Sequence, residues 1–96
     1  MTSAFEREYG CTEAEWQRWL PGAVRDHGLV QPAPGVAAVA IAAGTLNLRW
    51  TVLTPRQIAL VRLPRMQVTF RFDGVDAAAQ RDFMRYFDLY LQRGGG

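Results

Sequence analysis

The chain has 96 residues, enough for one domain and too few for two, and its balance of apolar and charged residues is that of an ordinary globular protein. No apolar run approaches the length of a membrane-spanning helix, the first residues lack the basic-then-apolar pattern of a secretory leader, and a lone cysteine, Cys11, excludes an internal disulfide framework. Eleven arginines, no lysine and nine acids give a net charge of +2, and a cytoplasmic protein is expected.

Residues 1–10 are polar with scattered aromatics and read as a loose helical turn. Thr12-Glu-Ala-Glu15 has the spacing of a capping box, in which the Thr12 hydroxyl accepts from the backbone at Glu15 and the Glu15 carboxylate reaches back. Cys11 and Trp16 stand where a hydrophobic staple would pack. Trp16 and Leu20 are four apart and share a helix face. An N-terminal helix is therefore expected over about 12–27, kinked at Pro21. Gln31–Gly35, with two prolines, reads as a stiff connector.

Four β segments follow, at 36–43, 45–53, 57–63 and 66–73, with Gly44, Pro55 and Pro64 near the turns. They predict a four-strand antiparallel meander in which Leu48 opposes Ile41, Trp50 opposes Val39, Val52 opposes Ala59 and Val61 opposes Val68. Period-two alternation then collects Val39, Ile41, Leu46, Leu48, Trp50, Val52, Ala59, Val61, Met66, Val68, Phe70 and Phe72 on one face. The last element, a helix over about 76–92, begins at Asp76 and carries Ala79, Phe83, Tyr86, Phe87, Tyr90 and Leu91 on one stripe. It is expected to cover that apolar face, with Arg85 and Asp88 paired on its outer side. Gly94–Gly96 reads as a flexible tail. The predicted class is α+β in a single domain, 1–96.

The opposite face carries the more informative pattern. It has an apolar centre at Leu53, Ile58 and Leu60 and three arginines, Arg49, Arg62 and Arg71, around it. Residues 36–72 hold five arginines and no acid, between two mildly acidic flanks. One reading covers this face with the N-terminal helix, placing Trp16, Trp19 and Leu20 on its centre. A second makes it a protein–protein surface, most simply that of a symmetric homodimer. A third, nucleic-acid binding through Arg49, Arg62 and Arg71, is weaker, because the strand aromatics Trp50, Phe70 and Phe72 fall on the other side and cannot stack bases.

Residues able to carry chemistry are few. His27 follows Asp26 at a helix end, where a cation is favourable, and no nucleophile accompanies it. Cys11 precedes a helix but fits a small apolar packing role. One Cys and one His do not make a zinc site, and no phosphate-binding glycine loop is present. The stripe from Phe83 to Tyr90 reads as core, or as the lining of a small-molecule pocket between helix and sheet. No catalytic residue, metal or cofactor is assigned. The expected function is a non-enzymatic protein-binding or assembly module using Arg49, Leu53, Ile58, Leu60, Arg62 and Arg71. Its partner is a protein or a second copy, with nucleic acid unlikely and no membrane involved. The alternative is ligand binding or enzymatic activity in the helix–sheet pocket.

Overall fold

A computed structural model describes residues 2–93. Its elements run β1 (Thr2–Tyr9), α1 (Glu13–Ala23), β2 (Leu29–Ala33), β3 (Val36–Ile41), β4 (Gly44–Ile58), β5 (Val61–Asp73) and α2 (Ala77–Gln92). The strands form one sheet in the order β1-β5-β4-β3-β2, and every neighbouring pair is antiparallel. Both helices lie on one face of it. The α+β class is as the sequence predicts, with five strands instead of four. The tail at 94–96 lies outside the described residues.

The fifth strand is β1, where a loose helical turn was expected. Phe5, Arg7 and Tyr9 alternate with Ala4, Glu6 and Glu8, which is the period of a strand with one buried face. Phe5 stacks on Phe70 with ring centroids 4.9 Å apart and planes 8° from parallel. That contact holds β1 beside β5 through an unbroken register from Thr2↔Asp73 to Tyr9↔Met66. At the other sheet edge, Leu29–Ala33 pairs with β3 through a register shift, so part of the expected connector is an edge strand; Pro32 is tolerated there because an edge leaves one side of the strand unpaired.

The segment 57–63 is not a separate strand. The chain reverses at Ala59-Leu60, where Ile58 pairs with Val61, so β4 and β5 form a single long hairpin. Pro55 and Pro64 mark a bulge instead of turns: between Leu53↔Arg65 and Arg56↔Leu63, Thr54 and Pro55 on β4 stand against Pro64 alone. Val52 accordingly pairs with Met66 and not with Ala59. The β3–β4 turn is Ala42-Ala43, with Ala42 at a φ of 51°, so Leu48 pairs with Ala37 and Leu46 with Val39. This register differs from the expected one by four residues. An even shift keeps every side chain on its face.

The helix-side face therefore holds the expected core. Val39, Leu46, Leu48, Met66, Val68, Phe70 and Phe72 are all fully buried. Helix α2 lays Phe83 and Phe87 on it, with Phe87 edge-on to Phe70 at 5.5 Å and Phe83 edge-on to Phe72 at 6.3 Å. Burying a side chain of this size contributes about 2–3 kcal/mol. Asp76 caps α2 by accepting from the Ala79 N–H at 2.8 Å. Arg85 and Asp88 do not pair, because Asp88 reaches across to Arg7 on β1.

Helix α1 starts from the expected capping box: Glu15 N–H donates to the Thr12 hydroxyl at 3.1 Å and Thr12 N–H donates to the Glu15 carboxylate at 2.9 Å. It ends at Ala23 and contains Pro21, with Arg25 taking a left-handed φ of 57° just beyond; residues 24–27 are turn, not helix. The helix packs beside α2 with Trp16 against Trp50 at 5.6 Å and against Phe87 at 6.1 Å. The expectation that it might cover the opposite face is thereby overturned. The aromatic surface of β4 and β5 outweighs Leu53, Ile58 and Leu60 in apolar area, and α1 goes where more is buried.

Candidate functional site

The lengths of the strands create the site. On β4, pairing with β3 ends at Arg49↔Val36; on β5, pairing with β1 ends at Tyr9↔Met66. Beyond these points β4 and β5 continue together with no strand on either side. At roughly 3.3 Å per residue the stretch from Leu53 to the turn extends about 20 Å. The molecule is correspondingly elongated, 47 × 23 × 21 Å. We refer to residues 52–65 as the arm.

Five of the seven exposed large apolar residues lie on it: Val52, Ile58, Leu60, Val61 and Leu63. Leu60, at the turn, is 97 % exposed. The arm also carries Arg56, Arg62 and Arg65 and no acid. Its two sides follow from the register. Met66 faces the helices, so Arg65, Leu63 and Val61 face the open side of the sheet, and their partners Leu53, Arg56 and Ile58 face it with them. Gln57 and Arg62 pair on the other side.

The root of the arm is fixed by Arg65. Its guanidinium forks onto Glu8 of β1, Nη2 to Oε1 at 3.0 Å and Nε to Oε2 at 3.1 Å, and Nη1 donates to the Thr54 carbonyl in the bulge at 3.2 Å. The hydrogen bonds from Arg65 hold the Glu8 carboxyl below its usual range, and Glu8 in turn raises Arg65. A shallow concavity of about 350 Å³ opens beside this fork, lined by Glu6, Glu8, Leu53, Arg65 and Gln67 together with Arg7. Farther along the open face, Asp73 accepts from Asn47 Nδ2 at 2.9 Å and lies 3.4 Å from Arg71 Nε.

Of the residues singled out in the sequence, Arg49, Leu53 and Arg71 share the open face, Arg49 opposite Thr69 and Arg71 opposite Asn47. Ile58 lies on the same side but out along the arm, and Leu60 forms the tip. Arg62 points to the other side. The six do not make one compact patch with an arginine rim, because the segment expected to pass back across the sheet leaves it instead. The sequence reading missed Val52 and Val61, which it placed in the core, Leu63, which it placed on neither face, and Glu6 and Glu8, which it placed in a helical turn. The near-symmetric placing of Pro55 and Pro64 about Ala59-Leu60 is the signal that marks the long hairpin, and the alternation of Thr2–Tyr9 is the one that marks β1.

The residues considered for chemistry are committed elsewhere. His27 Nδ1 lies 2.8 Å from the Val24 carbonyl at the end of α1, and its ring stands edge-on to Phe83. Cys11 is buried in the core, and burial pushes its thiol up to about 11, so it holds its proton at neutral pH. Phe83 and Phe87 fill the space between α2 and the sheet. Among the described residues no three His, Cys, Asp or Glu side chains are grouped to hold a metal ion, and no helix is long and apolar enough to cross a membrane. Compared with known proteins, the chain matches no family and no curated protein.

Proposed function

We propose that this chain is a non-enzymatic protein-binding or assembly module whose working surface is the arm and the adjoining open face of the sheet. The observation that carries this reading is the exposure of Ile58, Leu60, Val61 and Leu63 together on a two-stranded ribbon that no other described element supports. An isolated two-stranded hairpin is only marginally stable in water. A contiguous apolar surface of this kind on a small domain marks a contact site. Arg49, Arg56 and Arg71 on the same side suit a partner that presents carboxylates, which a guanidinium engages with two parallel hydrogen bonds.

The turn itself supports the reading. A two-residue hairpin turn facing water is normally built from Asn, Asp or Gly. Here it is Ala59-Leu60, with Ala59 held at a φ of 53° that glycine would adopt without strain. An apolar pair at the most exposed point of the chain fits a turn that is covered when the protein works.

A photo-crosslinking residue substituted for Leu60, in the cell of origin, tests the proposal. It should yield a discrete protein adduct, and the same residue at Arg85 on the outer face of α2 should not. Adducts to nucleic acid, or equal yields from both positions, would overturn it.

A further inference from the structure

The partner can be narrowed by asking what surface complements the arm. Beyond α1 and α2, which are packed on the core, the hollow at Arg49, Arg71 and Asp73 and that at Tyr86, Leu89 and Arg93 offer no unpaired carboxylate to the arm, and three other features of the described residues remain. One is the concavity between Arg7, Tyr9 and Asp88, which is closed on one side by an ion pair already made. A second is the small apolar strip at Val30, Ala38 and Ala40 beside edge strand β2, which has nothing charged to orient a partner. The third is the concavity at the root of the arm. It offers Leu53 as an apolar floor, with Glu6 and the Arg65–Glu8 pair as its wall. Among the described residues Glu6 forms no ion pair, its one contact being the Thr69 hydroxyl at 3.5 Å, and Arg56 forms neither an ion pair nor a side-chain hydrogen bond.

The arm and the concavity are thus complementary at Arg56 and Glu6, the charges left without an ion pair, and in apolar character at the tip and Leu53, and they belong to the same chain. The root of the arm lines the concavity through Leu53 and Arg65, and Arg56 adds to the positive field at Glu8, but the tip at Ile58 and Leu60 runs away from it and cannot fold back. The tip of a second copy can reach it. We propose that two copies of this chain associate about a two-fold axis with their arms lying open side to open side in opposite directions, each apolar tip reaching the root of the partner's arm and each Arg56 meeting Glu6 opposite. This inference rests on the reading of the arm as a docking element. In a two-fold arrangement any contact from tip to root occurs twice, so one complementary pair of features suffices to build and close the assembly. It also gives both ribbons the apolar support that neither has alone. The duplex of a nucleic acid fits the site less well, since Glu6 and Glu8 stand where phosphates would have to approach.

Sedimentation equilibrium across the micromolar range, read with a charge exchange, tests this. The wild-type chain should be dimeric. Leu60→Asp should be monomeric with an unchanged melting transition of the monomer. Arg56→Glu and Glu6→Arg should each raise the dissociation constant at least about tenfold, and the double variant should recover most of that loss. Glu8 is left intact because it holds Arg65. A monomer at all concentrations, or a dimer indifferent to Leu60→Asp and to both charge changes, overturns the inference. If the wild-type chain is monomeric while the crosslinker at position 60 captures a different protein, the second copy is excluded and the docking role stands. If the chain instead binds heparin with steep salt dependence through Arg56, both fail.

Discussion

The indole Nε1 of Trp50 donates to Glu13 Oε2 at 2.8 Å, joining the first turn of α1 to the last buried position of β4. Trp50 is only 6 % exposed, so its N–H has little access to water if that acceptor is removed. Glu13→Ala should destabilise the fold by about 1–2 kcal/mol, the cost of orphaning a buried donor. Glu13→Gln, which keeps a carbonyl acceptor, should lose less than half of that. Urea unfolding followed by tryptophan fluorescence distinguishes the two.

Arg7 does two jobs on the helix side of β1. It pairs with Asp88 of α2, and its guanidinium lies 5.2 Å from the Phe5 ring centroid and 5.6 Å from that of Phe70. Removing Asp88 abolishes the first and spares the second. Asp88→Ala should therefore cost no more than about 1 kcal/mol, the pair being a third exposed on each side. Arg7→Ala should cost more, since it also uncovers two stacked rings. A double-mutant cycle on these positions should give a coupling energy smaller than the Arg7→Ala effect. Equal effects for the two single changes would show that the ring contact contributes nothing.

Alkaline pH should weaken the fold in a defined window. Burial raises the Cys11 thiol from an ordinary value of 9.0 to about 11, and burial raises the Tyr9 hydroxyl from 10.0 to about 12. In the folded chain both groups keep their protons longer than in the unfolded chain. Stability is thus complete below about pH 9 and is lost as pH rises, through 9–11 for Cys11 and 10–12 for Tyr9, because the unfolded state binds fewer protons there. Urea midpoints should fall over this range, and Cys11→Ala should delay the onset toward the tyrosine window. A thiol reagent at pH 8 should label the native protein far more slowly than the unfolded one.

Gly44 begins β4 where its backbone crosses the end of β5. A Cβ at this position would meet the carbonyl oxygens of Asp73 and Gly74, which are backbone and have no rotamer in which to retreat. Gly44→Ala should cost about 1–3 kcal/mol, as overpacking against fixed atoms does. Two residues earlier the sign reverses. Ala42 sits at a φ of 51°, so Ala42→Gly should raise the melting temperature, the relief of a left-handed alanine being worth about 1 kcal/mol.

The core was legible because alternation survives an even shift. Placing the first turn at Gly44 instead of Ala42-Ala43 moved the β3–β4 partners by four, and Leu46, Leu48 and Trp50 still faced inward. The capping box and the Asp76 cap were legible for a different reason: each is satisfied within four residues and needs no knowledge of the rest of the chain. The arm was not legible, because its turn is made by Ala59-Leu60, which carries no turn signal, while the two prolines that do signal a break stand in the bulge. Strand β1 was obscured in another way. Its inward residues include Arg7, whose burial depends on an acid 81 positions away. The candidate site inherits both errors, which is why Leu53 and Leu60 were expected side by side and stand at opposite ends of the arm.

The bulge at the arm's root has a further effect. A ribbon with two bare edges and five large apolar side chains is a template on which like strands could stack without limit. Pro55 on one strand and Pro64 on the other remove a backbone donor from each strand, and a locally kinked ladder is a poor match for a straight newcomer. The chain should therefore carry this greasy projection at high concentration without polymerising edge to edge into fibrils.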